Sequence, residues 1–237
     1  MLDDVETWLA THPHDQVALG LRSAARRMAG HPSAVKSSDY DRMVRTYDLA
    51  PPPGWSDRTV WLSDLAAALH RLHSFQAEPF GQSVRAGIQS RTDPRWVGDP
   101  VIDATFERIR EAIADYVARI DPAGPMGAAN TGAATISGAW SVLLNAGGWH
   151  SDHVHPQGWI SSAFYVAVPD STPAEPVGGW LRFGATQLGP NIELPAEHRI
   201  EPQPGRLALF PAFFWHGTEP FSGDGERLTL AFDAIPA

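Results

Sequence analysis

The chain has no cysteine in its 237 residues. That excludes disulfides, thiolate zinc sites, cysteine-ligated iron–sulfur clusters and cysteine nucleophiles. Lysine is almost absent: Lys36 is the single one among 18 basic residues, and the other cations are arginines. Arginine stays charged and grips carboxylates in a fixed fork. A positive balance is also missing. Asp and Glu total 27, the net charge is −9, and such a chain repels a phosphate backbone, which argues against nucleic-acid binding. Finally, there is no long apolar run. The longest uncharged stretch, Pro122 to Trp149, is interrupted by Gly, Asn, Thr and Ser and is unsuited to crossing a membrane. The opening residues MLDDVETWLATHPHD carry acids where a signal peptide needs a basic end and an apolar run, so the expected location is the cytoplasm.

What is present is a globular composition, with 43% hydrophobic and 19% charged residues. The first part reads as helical. Residues 2–10 and 15–29 carry apolar positions at helical spacing, Ser38 or Asp39 is placed to cap a helix through Asp48, and Ser63 starts another through His73. The strongest helix spans 103–120, with Asp103 as N-cap and Phe106, Ile109, Ile113, Tyr116, Val117 and Ile120 on one face. Pro51-Pro52-Pro53-Gly54 is the clearest breaker, giving an expected helical appendage over 1–54 and a main domain over 55–237. Strand-like segments fall at 83–89, 137–146, 149–155, 159–168, 179–184, 198–202, 206–210, 213–216 and 226–233. Many short strands with helices ahead of them predict a mainly β domain, a sandwich or jelly roll with helices packed outside.

Five of the ten histidines lie between 150 and 216. In Trp149-His150-Ser151-Asp152-His153-Val154-His155-Pro156, residues two apart on a strand face one way. His153 and His155 can therefore meet one ion, and His150 with Asp152 makes a rival pair. A further histidine, His216, sits among Phe210, Phe213, Phe214 and Trp215, and Arg227 and Thr229 share a face of the last strand. Each feature has a plain structural reading. An aromatic-flanked histidine is often a hydrogen-bonded core residue, Arg227 can pair with Glu226, and Trp149, Trp159 and Trp215 can be core. Together they describe more. Two histidines and a third ligand on one side of a non-haem iron leave positions open for a bidentate 2-oxo acid and dioxygen. The far carboxylate of that acid needs a cation and a hydroxyl, which Arg227 and Thr229 offer.

These residues resemble a known family, the 2-oxoglutarate- and iron(II)-dependent oxygenases that carry HxHP, a following tryptophan-led strand and a terminal FPxxxWHG…ER pair. The corresponding pieces are His153-Val154-His155-Pro156, then Trp159-Ile160-Ser161-Ser162-Ala163-Phe164-Tyr165, then Phe210-Pro211-Ala212-Phe213-Phe214-Trp215-His216-Gly217 with Glu226-Arg227. The stretch Gln82 to Ser90 resembles an upstream family segment, so the likeness covers about residues 78–233. Members often follow helical repeats, and residues 1–50 are read as a remnant of such a region.

The resemblance implies a double-stranded β-helix of the cupin-like type, Fe(II), and 2-oxoglutarate and dioxygen as co-substrates. It implies iron ligands at His153 and His216, and Arg227 on the distal carboxylate with Thr229 or Tyr165 assisting. The product side is succinate, carbon dioxide and an oxidised, hydroxylated substrate. Two departures matter. The wider superfamily has a carboxylate where His155 stands, which leaves the third ligand open between His155, Asp152 in the other frame, and no protein group. Ser162 and Phe164 replace Gly and Tyr.

Two other classes stay open: a cupin-like metalloenzyme without 2-oxoglutarate, and a non-enzymatic jelly-roll binding module. For the substrate, a small molecule or peptide, the aromatic residues Trp149, Trp159, Phe214 and Trp215 and the cations Arg85 and Arg182 are the candidates. A homodimer is also open.

Overall fold

The computed structural model describes residues 1–34, 38–73, 83–169 and 176–237. Lys36 and Gln82 lie outside the described residues. Helices α1 (Leu2–Thr11) and α2 (Gln16–Met28) come first, then the single turn α3 (Tyr40–Met43), strand β1 (Arg45–Asp48) and α4 (Arg58–His70). Strand β2 (Val84–Gln89) and helix α5 (Pro100–Ala118) precede the strand-rich part. That part contains β3 (Ala134–His150), β4 (Ile160–Ala167), β5 (Leu181–Phe183), β6 (Thr186–Gly189), β7 (Ile192–Leu194), β8 (His198–Ile200), β9 (Arg206–Pro211), β10 (His216–Thr218) and β11 (Arg227–Pro236). No helix among the described residues is long and apolar enough to cross a membrane.

A six-stranded antiparallel sheet runs β1-β9-β4-β11-β3-β2, and a small sheet runs β10-β5-β8. This is the double-stranded β-helix architecture that the sequence resemblance implies. Alternation along β11 explains how the large sheet serves two purposes. Leu228, Leu230 and Phe232 are buried in the main apolar core with Phe164, Leu207 and Leu209, against helices α4 and α5. Arg227, Thr229, Ala231 and Asp233 point the other way and line a cavity. Trp61 of α4 is fully buried, its ring 5.7 Å from Phe164, and its indole N–H donates to Thr105 of α5 at 2.9 Å. Burying each such side chain is worth about 1.5–3 kcal/mol, so the helices hold the back of the sheet that carries the site.

The elements differ from the sequence reading in specific places. The strong helix starts at Pro100, because Asp99 caps it by accepting from Val101 N–H at 3.1 Å and proline suits the first helical position. The expected helix through Asp48 stops after one turn, and residues 45–48 become β1, paired with β9. The segment expected as an appendage therefore contributes an edge strand to the main sheet. Leu9, Leu19, Val44 and Leu49 also join the main core. Residues 153–155 leave the regular strand, with His153 in an isolated bridge to His216. Thus the spacing of His153 and His155 is not a strand repeat.

Candidate active site

The cavity between the two sheets has a volume of about 640 Å³. His216 opens β10, directly after the turn Ala212–Trp215, and its N–H and C=O both bond to His153 across the bridge, at 3.0 Å each. Gly217 follows because the chains touch here. A Cβ at this position would lie 2.6 Å from the Asp152 carboxylate and 2.8 Å from the His150 carbonyl. Gly20 of α2 has a similar place on the outside, where a Cβ would stand 2.9 Å from the Phe213 carbonyl. The first helical pair thus buttresses the turn that presents His216.

His153, His155 and His216 offer ring nitrogens that all lie within 4.8 Å of one another. The other ring nitrogen of each is committed. Nδ1 of His153 is 2.7 Å from the Ser151 carbonyl, and Nδ1 of His216 is 2.8 Å from the Phe214 carbonyl. Nδ1 of His155 lies 2.7 and 2.8 Å from the two oxygens of Asp233. Carbonyls and carboxylates only accept, so each Nδ1 donates and each Nε2 carries a lone pair. Nε2 of His153 and Nε2 of His155 then face each other at 3.1 Å, an arrangement that calls for a shared cation. Burial and the neighbouring His155 push the pKa of His153 down to about 4, and burial lowers that of His216 well below the usual histidine range. Both are neutral at pH 7 and available as donors. Three imidazoles suit a divalent first-row ion, so the residues fit the iron that the family resemblance implies.

The rival frame is not brought to this point. Asp152 is taken by Arg182, with Nε and one terminal nitrogen each 2.9 Å from its oxygens. Arg182 also reaches Glu219 at 3.0 Å, so it is a structural cation, not a substrate contact. His150 lines the cavity and pairs through Nδ1 with the Ser83 hydroxyl at 3.0 Å.

Arg227 also lines this cavity. It is 2% exposed, its Nε has no hydrogen-bond partner among the described residues, and burial lowers its pKa, opposed by Tyr165 and by no carboxylate. Its guanidinium carbon sits 5.1 Å from the centre of the Tyr165 ring, a cation–π contact worth about 2 kcal/mol when desolvated. Tyr165 lies behind Arg227 and does not line the cavity, whereas Thr229 does. Glu226, the pairing partner that a surface reading suggests, instead meets His70 at 2.7 Å.

The aromatic candidates divide differently from expectation. Trp159 and Phe214 are core, Trp215 packs beside Gly20, and Trp149 faces a separate groove shared with Asp152 and Arg182. Arg85 does line the cavity. Two lining residues escaped the sequence reading. Trp140 of β3 stacks near His155, ring centres 5.8 Å apart, and Asp233 holds His155. Asp233 stands an even number of residues after Arg227 and Thr229 on one strand, which was the available signal.

Residues 138–233, which include all three histidines, Arg227 and Asp233, match the family described as "Putative 2OG-Fe(II) oxygenase". Among solved structures, the chain is similar to a Pseudomonas putida prolyl-4-hydroxylase, with 19% identity, a TM-score of 0.54, and 86% of this chain and 98% of that one covered. It is also similar to HygX from Streptomyces hygroscopicus with nickel and 2-oxoglutarate bound, at 12% identity, a TM-score of 0.53, and coverage of 85% and 86%. The third is the α-ketoglutarate-dependent epimerase SnoN from nogalamycin biosynthesis, at 15% identity, a TM-score of 0.54, and coverage of 93% and 84%. No curated protein matches the sequence. Residues 138–233 thus resemble the Fe(II)- and 2-oxoglutarate-dependent oxygenases, on a fold that these structures share.

Proposed function

We propose that this chain is an oxygenase that holds Fe(II) through His153, His155 and His216, binds 2-oxoglutarate through Arg227 and Thr229, and hydroxylates its substrate. One observation carries the reading: a single cavity has three imidazole ring nitrogens converging in its wall and, elsewhere in the same wall, a buried guanidinium with no carboxylate partner among the described residues. Iron bound there would supply the dioxygen chemistry that couples decarboxylation of 2-oxoglutarate, to succinate and carbon dioxide, with substrate oxidation. The chain's own residues do the rest. The Arg227 fork takes both oxygens of the distal carboxylate, and Thr229, on the same face of β11, adds a hydroxyl donor. Tyr165 supports the guanidinium from behind. Val142, Leu181 and Phe210 give the cavity apolar walls, where an unpaired carboxylate would cost several kcal/mol, on the order of 3 or more, so Arg227 is required for the acid to enter. Burial keeps His153 and His216 unprotonated across the neutral range.

The lack of a carboxylate partner for Arg227 among the described residues also disfavours a metalloenzyme that uses no 2-oxo acid, in which this cation has no task. The substrate is a small molecule or a peptide, and Arg85, Gln89 and Trp140 line the cavity that would take it. The test is anaerobic titration of iron-loaded protein with 2-oxoglutarate. A visible absorption band that saturates with the acid is expected, followed by succinate release on admitting air. Absence of the band with iron bound would overturn the co-substrate. Pools of amino acids and peptides that stimulate succinate release identify the substrate class.

A further inference from the structure

The three histidines are not equivalent. His153 and His216 give their Nδ1 protons to backbone carbonyls, whereas His155 gives its proton to a carboxylate. His155 also stands where a His-x-Asp pattern would place the negative ligand. Asp233 is well built for the contact. Both oxygens lie within 2.8 Å of Nδ1, the Ser161 hydroxyl donates to Oδ1 at 2.7 Å, and the side chain is 15% exposed. A register shift of β11 falls between Asp233 and Ala234, and such irregularities re-aim side chains beside sites. Gly158 leaves room, since a Cβ there would stand 3.1 Å from the carboxyl carbon.

We propose that Asp233 is a positioning residue for the metal centre. It fixes the ring and tautomer of His155 and carries, one imidazole away from the ion, the negative charge that the ligand set itself lacks. A carboxylate on the far nitrogen of a ligating histidine raises the basicity of the near one, and losing such a partner typically weakens metal binding about 10- to 100-fold. The three-nitrogen ligand set is thereby kept without giving up the charge of a His-x-Asp site.

The inference rests on the proposed ligand set, and a double-mutant cycle separates the two. Co(II) is titrated into the whole chain while its visible spectrum is followed, for the wild type, Asp233→Asn, His155→Ala and the double variant. Asp233→Asn keeps the shape and removes the charge. We expect it to weaken Co(II) binding about 10- to 100-fold with His155 present, and by less than about threefold in the His155→Ala background. A residue that merely supports the fold would act equally in both. Ser161→Ala supplies a second variant should Asp233→Asn fold poorly, with an expected loss of about two- to tenfold, the worth of one hydrogen bond, again only when His155 is present. If the wild type binds no Co(II), the metal site falls and this inference with it. If the wild type binds but Asp233→Asn binds as tightly, or loses equally without His155, only the role of Asp233 is overturned.

Discussion

Arg227 and the histidines make opposite demands on the folded chain. His153 and His216 avoid a charge by remaining neutral, whereas an arginine cannot shed its proton and is left as a buried cation with no carboxylate partner among the described residues. Such a charge destabilises the protein until an anion arrives. Arg227→Met should therefore melt at a higher temperature than the wild type without ligands, yet need at least about 100-fold more 2-oxoglutarate, corresponding to about 3 kcal/mol of charged hydrogen bonding. Calorimetry of both proteins, with and without 2-oxoglutarate, checks both halves; a lower melting temperature in Arg227→Met would show that the Tyr165 contact outweighs the cost of burying the charge. Metal binding should follow a matching pattern. His153→Ala and His216→Ala should lose the ion, His155→Ala should bind it much more weakly, and Asp152→Ala should keep it, since Asp152 serves Arg182. Metal content after dialysis against Fe(II) or Co(II) decides this, and loss of the ion from Asp152→Ala would restore the other frame. His153, His155, His216, Arg227 and Thr229 were candidates from the sequence because each stands at a motif spacing. Asp233 and Trp140 were missed: spacing puts Asp233 on the face of Arg227 and Thr229, but its contact with His155, like that of Trp140, comes from packing between distant segments.

At the level of elements, the first fifty residues show where local reading stops. Helices α1 and α2 were visible from their apolar spacing, but nothing local marks Arg45–Asp48 as a strand whose partners, Arg206–Leu209, are far along the chain. Three prolines and a glycine look like a linker, although the chain on either side of them packs into one core. Arg27 ties α2 to the Gly184 and Pro195 carbonyls, and Tyr40 lies edge-on to Phe214. Cutting at residues 51–54 should therefore not release a stable metal-binding domain. A chain starting at residue 51 should be aggregated or unfolded, because it exposes the β9 edge and the apolar surface that α2 covers. Circular dichroism and size-exclusion chromatography test this; a monomeric, metal-binding fragment would reinstate the appendage. A finer probe is Gly20→Val. The added atoms push against the Phe213 carbonyl and hence the turn before His216, so metal affinity should fall by more than the loss in secondary structure explains.

Across the whole molecule, acid sensitivity reports how many histidines fold in the neutral form. Beyond the histidine cluster, His73 is half-buried, with Nε2 2.9 Å from the Ser141 hydroxyl and Nδ1 lacking a partner among the described residues, and desolvation lowers its pKa to about 4. His153 is lowered to about 4 as well, and His150 and His216 go further. In the unfolded chain each returns to an ordinary value near 6.5. Between about pH 6.5 and 4 the unfolded state thus binds more protons than the folded one, so stability falls as pH drops through this window and is fully present above it. Asp15, Asp48 and Asp93 have lowered pKa values, from capping and arginine contacts, so their contribution is lost only below about pH 4. The two classes therefore act in successive pH ranges. Melting temperatures of the metal-free protein should be level from pH 8 to 7, decline from about 6.5, and steepen again below 4. His73→Gln removes one of the protons taken up in the upper range and should flatten that part of the curve while leaving the acid limb and metal binding in place. A wild-type curve that stays level down to pH 4.5 would mean that these histidines are charged in the folded protein, which the three converging lone pairs of the site do not allow.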